Sequence, residues 1–221
     1  MKKSLLKNIF LSASVPYQER HRKYYDIADF TAIRDAVRAV ATTVIPGTRL
    51  IWGGHPAITP LIRYVVERMN VSLKDHVTLY LSAFFEKQFS PDTFFFEDVR
   101  VIPAEETLDL SLDKMRASMI KQNDFSAGIF IGGMEGIEVE YEIFKEAHPK
   151  ALILPIASTG AGAKILYDRM TRNNDAQLDE RLLTDYAYKA LFRELLGDFI
   201  QPFDAKDFNT DNNGDENIRD I

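Results

Sequence analysis

No cysteine occurs among the 221 residues, so disulfides, thiolate metal sites and cysteine nucleophiles are excluded. Histidine is scarce too. His21, His55, His76 and His148 show no paired ligand spacing, which argues against a metal site. No apolar run approaches the ~20 residues that span a bilayer. Near the N-terminus, Lys7 and Asn8 interrupt the stretch of Leu5, Leu6, Ile9, Phe10 and Leu11, making a poor signal-peptide core. Neither a G-x-S-x-G elbow nor a G-x-x-x-x-G-K-[ST] phosphate loop is present. The extended basic stripe that duplex nucleic acid demands is missing as well. These absences lead us to expect a cytoplasmic protein with no cofactor, no metal, and neither membrane nor nucleic acid as partner.

What is present is ordinary for a globular chain: 46% hydrophobic and 27% charged residues. A chain of this size buries roughly 70–75% of its unfolded surface and folds without staples. The net charge of −6 is unevenly spread. Asp204, Asp207, Asp211, Asp215, Glu216 and Asp220 face only Lys206 and Arg219 in the last residues. We expect one domain over 1–203 and an acidic, disordered tail over 204–221. A basic cluster, Arg20-His21-Arg22-Lys23, reads either as a solvated loop or as a loop facing phosphate.

Apolar runs alternate with helical patterns. Strands are expected at 9–14, 49–54, 77–82, 99–102, 128–132 and 152–155, and helices at 30–45, 58–69, 108–120, 138–147, 161–170 and 178–196. Short apolar strands separated by helices imply βαβ units. The expected fold class is α/β, a doubly wound, mostly parallel, Rossmann-like sheet with helices on both faces. Ligands of such sheets bind outside the carboxyl ends of the strands.

Those ends are rich in small residues: Ser12 and Ser14, then Gly53, Gly54 and His55, then Gly132, Gly133, Met134, Glu135 and Gly136, then Ser158, Thr159 and Gly160. Glycine lets an amide approach a ligand oxygen closely, and a following helix adds free N–H groups and the positive end of its dipole. Such turns suit phosphates, although glycine also serves simply to turn a chain. Glu138 and Glu142 fall on one helical face and Glu140 on another. These glutamates either complement the helix dipole or accept hydrogen bonds from ribose hydroxyls. His55 reads as a turn residue or a ligand contact. Tyr24-Tyr25 reads as core packing or as a platform for a base. The aromatic run Phe94-Phe95-Phe96, with Phe84, Phe85 and Phe89, reads as core or as cover for a partner subunit.

The block G-I-F-I-G-G-M-E-G-I-E-V-E-Y-E-I-F from Gly128 to Phe144 resembles the signature of the SLOG superfamily. That superfamily takes in the Lonely Guy phosphoribohydrolases and the DprA DNA-processing proteins. The Lonely Guy pattern is P-G-G-x-G-T-x-x-E with an upstream R-K-x-x-M helix. Gly132-Gly133-Met134-Glu135-Gly136 through Glu140 matches it with one extra residue between the glycines. Ile131 stands at the proline, Ile137 at the threonine, and Arg116-Ala117-Ser118-Met119 at the arginine helix. The resemblance spans about residues 8–170 and implies that Arg116 and Glu140 correspond to the pair acting on the N-glycosidic bond. With the opening F-L-S-A-S-V-P strand, the whole is more similar to the sensor branch of bacterial conflict systems. That branch implies a nucleotide or ADP-ribose-like signal, a homodimer or higher homo-oligomer, and an effector protein as partner.

Three functions stay open on sequence. A sensor would hold phosphates on the glycine turns, with Glu138 or Glu140 on a ribose and Arg20, Arg22 or Arg116 on phosphate. An N-glycoside hydrolase would use Glu140 beside the oxocarbenium-like ribose carbon, with Arg116 anchoring phosphate. In a structural or interaction protein the glycines would only make turns.

Overall fold

Alternation along the first strand sets the architecture. In β1, Asn8–Ser14, Ile9 and Leu11 enter one hydrophobic cluster while Phe10 enters the other, so both faces of the strand are buried. A strand buried on both sides belongs at the centre of a parallel sheet. The computed structural model describes residues 6–69, 76–173 and 177–201 and puts β1 there.

The sheet has six parallel strands in the order β4-β3-β2-β1-β5-β6. The others are β2 (Arg49–Trp52), β3 (Val77–Ser82), β4 (Val99–Ile102), β5 (Ala127–Gly132) and β6 (Leu152–Ile156). The fold is α/β and Rossmann-like, doubly wound as the alternating pattern implies. One face carries α2 (Phe30–Val44), α3 (Thr59–Val66) and α8 (Tyr188–Leu196), packed through Ile33, Val37, Ile62, Leu191 and Phe192. The other carries α4 (Leu108–Lys121), α5 (Glu135–Ala147) and much of α6 (Ala161–Arg172), through Met115, Met119, Tyr141, Phe144 and Leu166. Each fully buried side chain of this size contributes about 1.5–3 kcal/mol. Local signals fix the helix starts. Asp29 accepts the Ala32 amide at 2.9 Å and Thr107 that of Leu110 at 3.3 Å, both N-caps.

Several boundaries differ from the sequence reading. The expected helix over 178–196 is two, α7 (Arg181–Thr184) and α8, because Asp185 turns extended and its carboxylate accepts the Ala187 amide at 2.7 Å. Strand β2 leaves the ladder at Trp52, two residues early, and α3 stops at Val66. Helix α5 starts at Glu135 rather than Glu138, taking Gly136 into its first turn. A one-turn helix, α1 (Arg22–Tyr25), follows β1 and carries part of the basic cluster. The aromatic run forms 3-10 turns at Ala83–Gln88 and Pro91–Phe95. Phe96 packs edge-on against Trp52, while Phe84 and Phe94 remain exposed. The acidic tail over 204–221 lies outside the described residues.

Candidate functional site

Strand order decides where a ligand can enter. From β1 the chain builds outward through β2, β3 and β4, then returns to place β5 on the other side of β1. Helix α2, after β1, packs on one face, and α5, after β5, packs on the opposite face. The helices therefore diverge above the carboxyl ends of β1 and β5, the topological switch point where doubly wound sheets open a crevice.

Ser12, Ser14, Gly132 and Gly133 stand at that edge. Ser14 pairs with Gly132 in the ladder, and Gly133 donates its amide to the Ser14 carbonyl at 2.9 Å. Gly132 and Gly133 both have positive φ, 58° and 84°, and a Cβ on Gly132 would approach the Ser14 carbonyl to 2.8 Å. The turn thus needs two glycines to bring the chain from β5 straight into α5. No side chain caps α5, and the amides of Met134, Glu135 and Gly136 find no acceptor among the described residues. Three donors thus stand at the positive end of the helix dipole, beside the carboxyl ends of β1 and β5.

Beneath them sits a buried charge cluster. Glu140 Oε2 accepts the Ser12 hydroxyl at 2.5 Å, and Oε1 lies 3.5 Å from Arg116 Nε. Both charged side chains are nearly closed to water, at 13% exposure for Arg116 and 16% for Glu140. Burial pushes the Glu140 carboxyl above the usual carboxylate range, opposed by the Arg116 charge and the Ser12 hydrogen bond. A Cβ on Gly136 would stand 3.2 Å from Arg116 Nη2, so this glycine makes room for the guanidinium over the first turn of α5.

The other acids of α5 are answered by basic residues. Arg20 pairs with Glu135, and His21 Nε2 lies 3.5 Å from it. Glu138 accepts the Tyr24 hydroxyl and lies 3.9 Å from both Lys23 and Arg169, while Arg169 also holds Glu142 at 2.8 Å. The Tyr24 hydroxyl is correspondingly held well above its ordinary pKa, by burial and then by Glu138. Tyr17, on the same loop, stacks on His55 at the end of β2, with 6.2 Å between centroids. Burial and the Arg20 charge lower the His55 pKa to about 4, so its ring is neutral at pH 7. Residues 15–25 therefore form a strap from the end of β2 to the head of α5.

A family model described as the SLOG cluster3 family matches residues 23–196. The chain belongs to the SLOG cluster3 family. The X-ray structure of TM1055, a Northeast Structural Genomics Consortium target, aligns with a TM-score of 0.54 at 13% identity. The alignment covers 86% of this chain and 99% of that one, and shows a shared fold. No curated protein matches the chain.

Not every glycine turn of this SLOG protein is alike. Ser158, Thr159 and Gly160 serve internal contacts. Thr159 Oγ1 accepts the Gly132 amide at 2.9 Å and donates to the Ile156 carbonyl at 2.6 Å, and Ser158 lies 3.0 Å from the Tyr188 hydroxyl. The amides of Ala161 and Gly162, at the head of α6, are spent on Ile27 and Gly133 carbonyls. At the end of β2 the Ala57, Ile58 and Thr59 amides all return to His55. A side chain on Gly54 would run into Leu81 at 2.2 Å, whereas at Gly53 a Cβ would meet Met119 and Met115 no closer than 3.6 Å. Of the basic loop residues, Arg22 faces Asp26 at 3.7 Å rather than the crevice. Sequence reasoning missed Arg169 and Tyr188. Arg169 sits in the last turn of α6, where a basic residue reads as a dipole complement, and nothing local points to its pairing with α5.

Among the described residues there is no cluster of three metal-ligating groups, and no helix is long and apolar enough to cross a membrane.

Proposed function

We propose that the chain binds a nucleotide or ADP-ribose-like signal in the crevice above β1 and β5, as a cytoplasmic sensor in a bacterial conflict or signalling system. Membership in the SLOG family supports a nucleotide-related function in general. The observation that carries the reading is the convergence, at the topological switch point, of three open amides with a buried arginine–glutamate–serine cluster. The amides suit a phosphate, and carboxylate oxygens near them suit ribose hydroxyls. Met134, Glu135 and Gly136 with Ser14 line the phosphate end of the proposed site, and Arg116 and Glu140 its ribose end. The finer parts of the reading, a homo-oligomer and an effector partner, belong to the same proposal.

A second reading is an N-glycoside hydrolase, favoured by the juxtaposition of Glu140 and Arg116. Hydrolysis of an N-glycoside needs a carboxylate beside the ribose carbon. Glu140 is instead committed to Ser12 and Arg116 and nearly closed to water, which supports holding over turnover.

The test is thermal shift with AMP, NAD, ADP-ribose and cyclic ADP-ribose isomers, followed by chromatography of the mixtures. At 100 times Kd a ligand adds about 2.7 kcal/mol. In a chain of this size that raises Tm by roughly 5–10 °C. A shift with intact ligand supports the sensor, and a shift with released base supports the hydrolase. Absence of any shift sinks both.

A further inference from the structure

The chain crosses the switch point on a segment that the fold holds by its side chains. Pro16 and Tyr24 are buried, and the seven residues between them, from Tyr17 to Lys23, are all exposed. Among the described residues, the backbone hydrogen bonds of this stretch stay local: the Arg20 and His21 amides donate to the Tyr17 carbonyl, and the Tyr24 and Tyr25 amides to that of His21. The ladder with β5 ends at Ser14, and the next backbone bond to the body comes at Ile27, whose carbonyl accepts the Ala161 amide. Between those points the ties are ionic or aromatic. Arg20 pairs with Glu135, His21 Nε2 stands 3.5 Å from the same carboxylate, Lys23 lies 3.9 Å from Glu138, and Tyr17 stacks on His55. Arg20 and Glu135 are 56% and 38% exposed, so water and salt screen their attraction. Tyr24 is the exception, packed at 1% exposure against Met134 and Ala161 with its hydroxyl on Glu138. The single turn of α1 adds little stability of its own.

We propose that residues 17–23 form an ionic gate on the crevice, hinged at Pro16 and Tyr24 and latched by Arg20 and His21 on Glu135. Open, it uncovers His55 at the end of β2 and the head of α5, while the sheet and its helices stay folded. Local openings of this kind are drawn from segments with few apolar contacts and exposed hydrogen bonds. Each exposed ion pair biases the closed state by only about 1.5- to 5-fold, so the latch yields to salt or to a competing charge. Both ends are released together, because Arg20 sits at the centre of the span: it pairs with Glu135, and its charge also reaches His55. The gate is independent of which ligand the crevice takes, and so goes beyond the nucleotide reading.

Arg20, Arg22 and Lys23 give the gate three tryptic sites, and His55, neutral at pH 7, reacts with diethyl pyrocarbonate once Tyr17 lifts from it. The experiment is limited trypsinolysis of the full chain beside diethyl pyrocarbonate labelling, both read by mass spectrometry, for the wild type, Glu135→Gln and Glu142→Gln. Cleavage after Lys114, inside α4, reports wider opening, and a short peptide substrate corrects for the effect of salt on trypsin. Cleavage through a rapid opening follows the open population. At about 0.05 M salt, Glu135→Gln is expected to raise gate cleavage and His55 labelling together, about 3- to 10-fold, with Lys114 unchanged. Glu142→Gln, on the same helix but paired with Arg169, should match the wild type. Raising salt to about 0.5 M should bring the wild type up to the variant. Gate cleavage that ignores the substitution, or ignores salt, overturns the inference. So does a rise without His55 labelling, or one that Lys114 follows in step. Circular dichroism checks folding; if Glu135→Gln does not fold, the wild type in low and high salt decides by the same criteria. No readout uses a ligand, so the gate and the nucleotide reading stand or fall separately.

Discussion

Arg116→Met tests whether the buried pair acts as an electrostatic unit. Methionine replaces much of the apolar stem, so the change isolates the guanidinium. The 3.5 Å separation is long for a charged hydrogen bond, and both groups keep slight exposure, 13% and 16%. Removing one partner of a fully buried pair costs 3–5 kcal/mol, and losing a hydrogen bond to a charged group about 1.5–3. We therefore expect about 2–3 kcal/mol at pH 7.5, or roughly 4–12 °C in Tm. The loss should depend on pH. Burial already raises the Glu140 carboxyl above its unfolded value, and the arginine is the largest influence lowering it. Such a group contributes its stability below the unfolded pKa and loses it as pH rises through the folded pKa. Without Arg116 the folded pKa rises further, so the deficit of the variant should narrow near pH 4.5, where an ordinary glutamic acid is about half protonated and a raised one more than half, and widen towards pH 7.5. Urea denaturation at the two pH values reads this directly. Adding Glu140→Gln to Arg116→Met should recover part of the loss at pH 7.5 by removing the orphaned charge. Equal destabilisation at both pH values, with no recovery in the double variant, would refute the electrostatic account and leave only packing.

Two further outcomes follow from individual residues. Gly160 has φ 70°, and a Cβ there would lie 1.9 Å from the Ile27 carbonyl oxygen, so Gly160→Ala should cost at least about 2–3 kcal/mol; Gly197, with nothing within 4 Å, should tolerate alanine or gain about 0.4–1 kcal/mol. Chemical denaturation of the two variants side by side reads the contrast, and similar losses at both positions would contradict it. His55, with its pKa lowered to about 4, favours the fold while neutral; stability should decline as pH falls from 6.5 towards 4, and His55→Asn should flatten that part of the Tm–pH profile. An unchanged slope in the variant would remove His55 from the account.

Much of the sheet is legible before any coordinates. The apolar runs place six strands, and the spacing of Ile33, Val37, Val40 and Val44 marks the buried face of α2. The division of labour within α5 is legible too. Glu138 and Glu142, four residues apart, share Arg169, while Glu140 points across to α4 and β1. The break at Asp185 is not, since apolar residues continue past it, with Leu182 and Leu183 before it and the helical spacing of Tyr188, Leu191 and Phe192 close behind. A side chain that hydrogen-bonds two residues ahead competes with the helix without altering that periodicity. The strap over the crevice escapes for a different reason. Four consecutive basic residues look like a solvated loop until the acids of α5 are brought beside them by the return of β5 to the middle of the sheet.

The glycine turns show how far local sequence reaches. Three strand ends carry the same chemistry in sequence, small residues leading into a helix, and each could have offered amides to a phosphate. What separates them is long-range. At β6, the Ile27 carbonyl, just past the strap, and the Gly133 carbonyl of β5's own turn take the amides that open α6. At β2, one residue, His55, takes three amides that open α3. At β5 the Ser14 carbonyl takes the Gly133 amide, and the next three donors find no acceptor among the described residues. A turn can bind an anion only where the fold has not already supplied one of its own carbonyls. That condition depends on which strand lies next to which, and it is met beside β1, at the centre of the sheet.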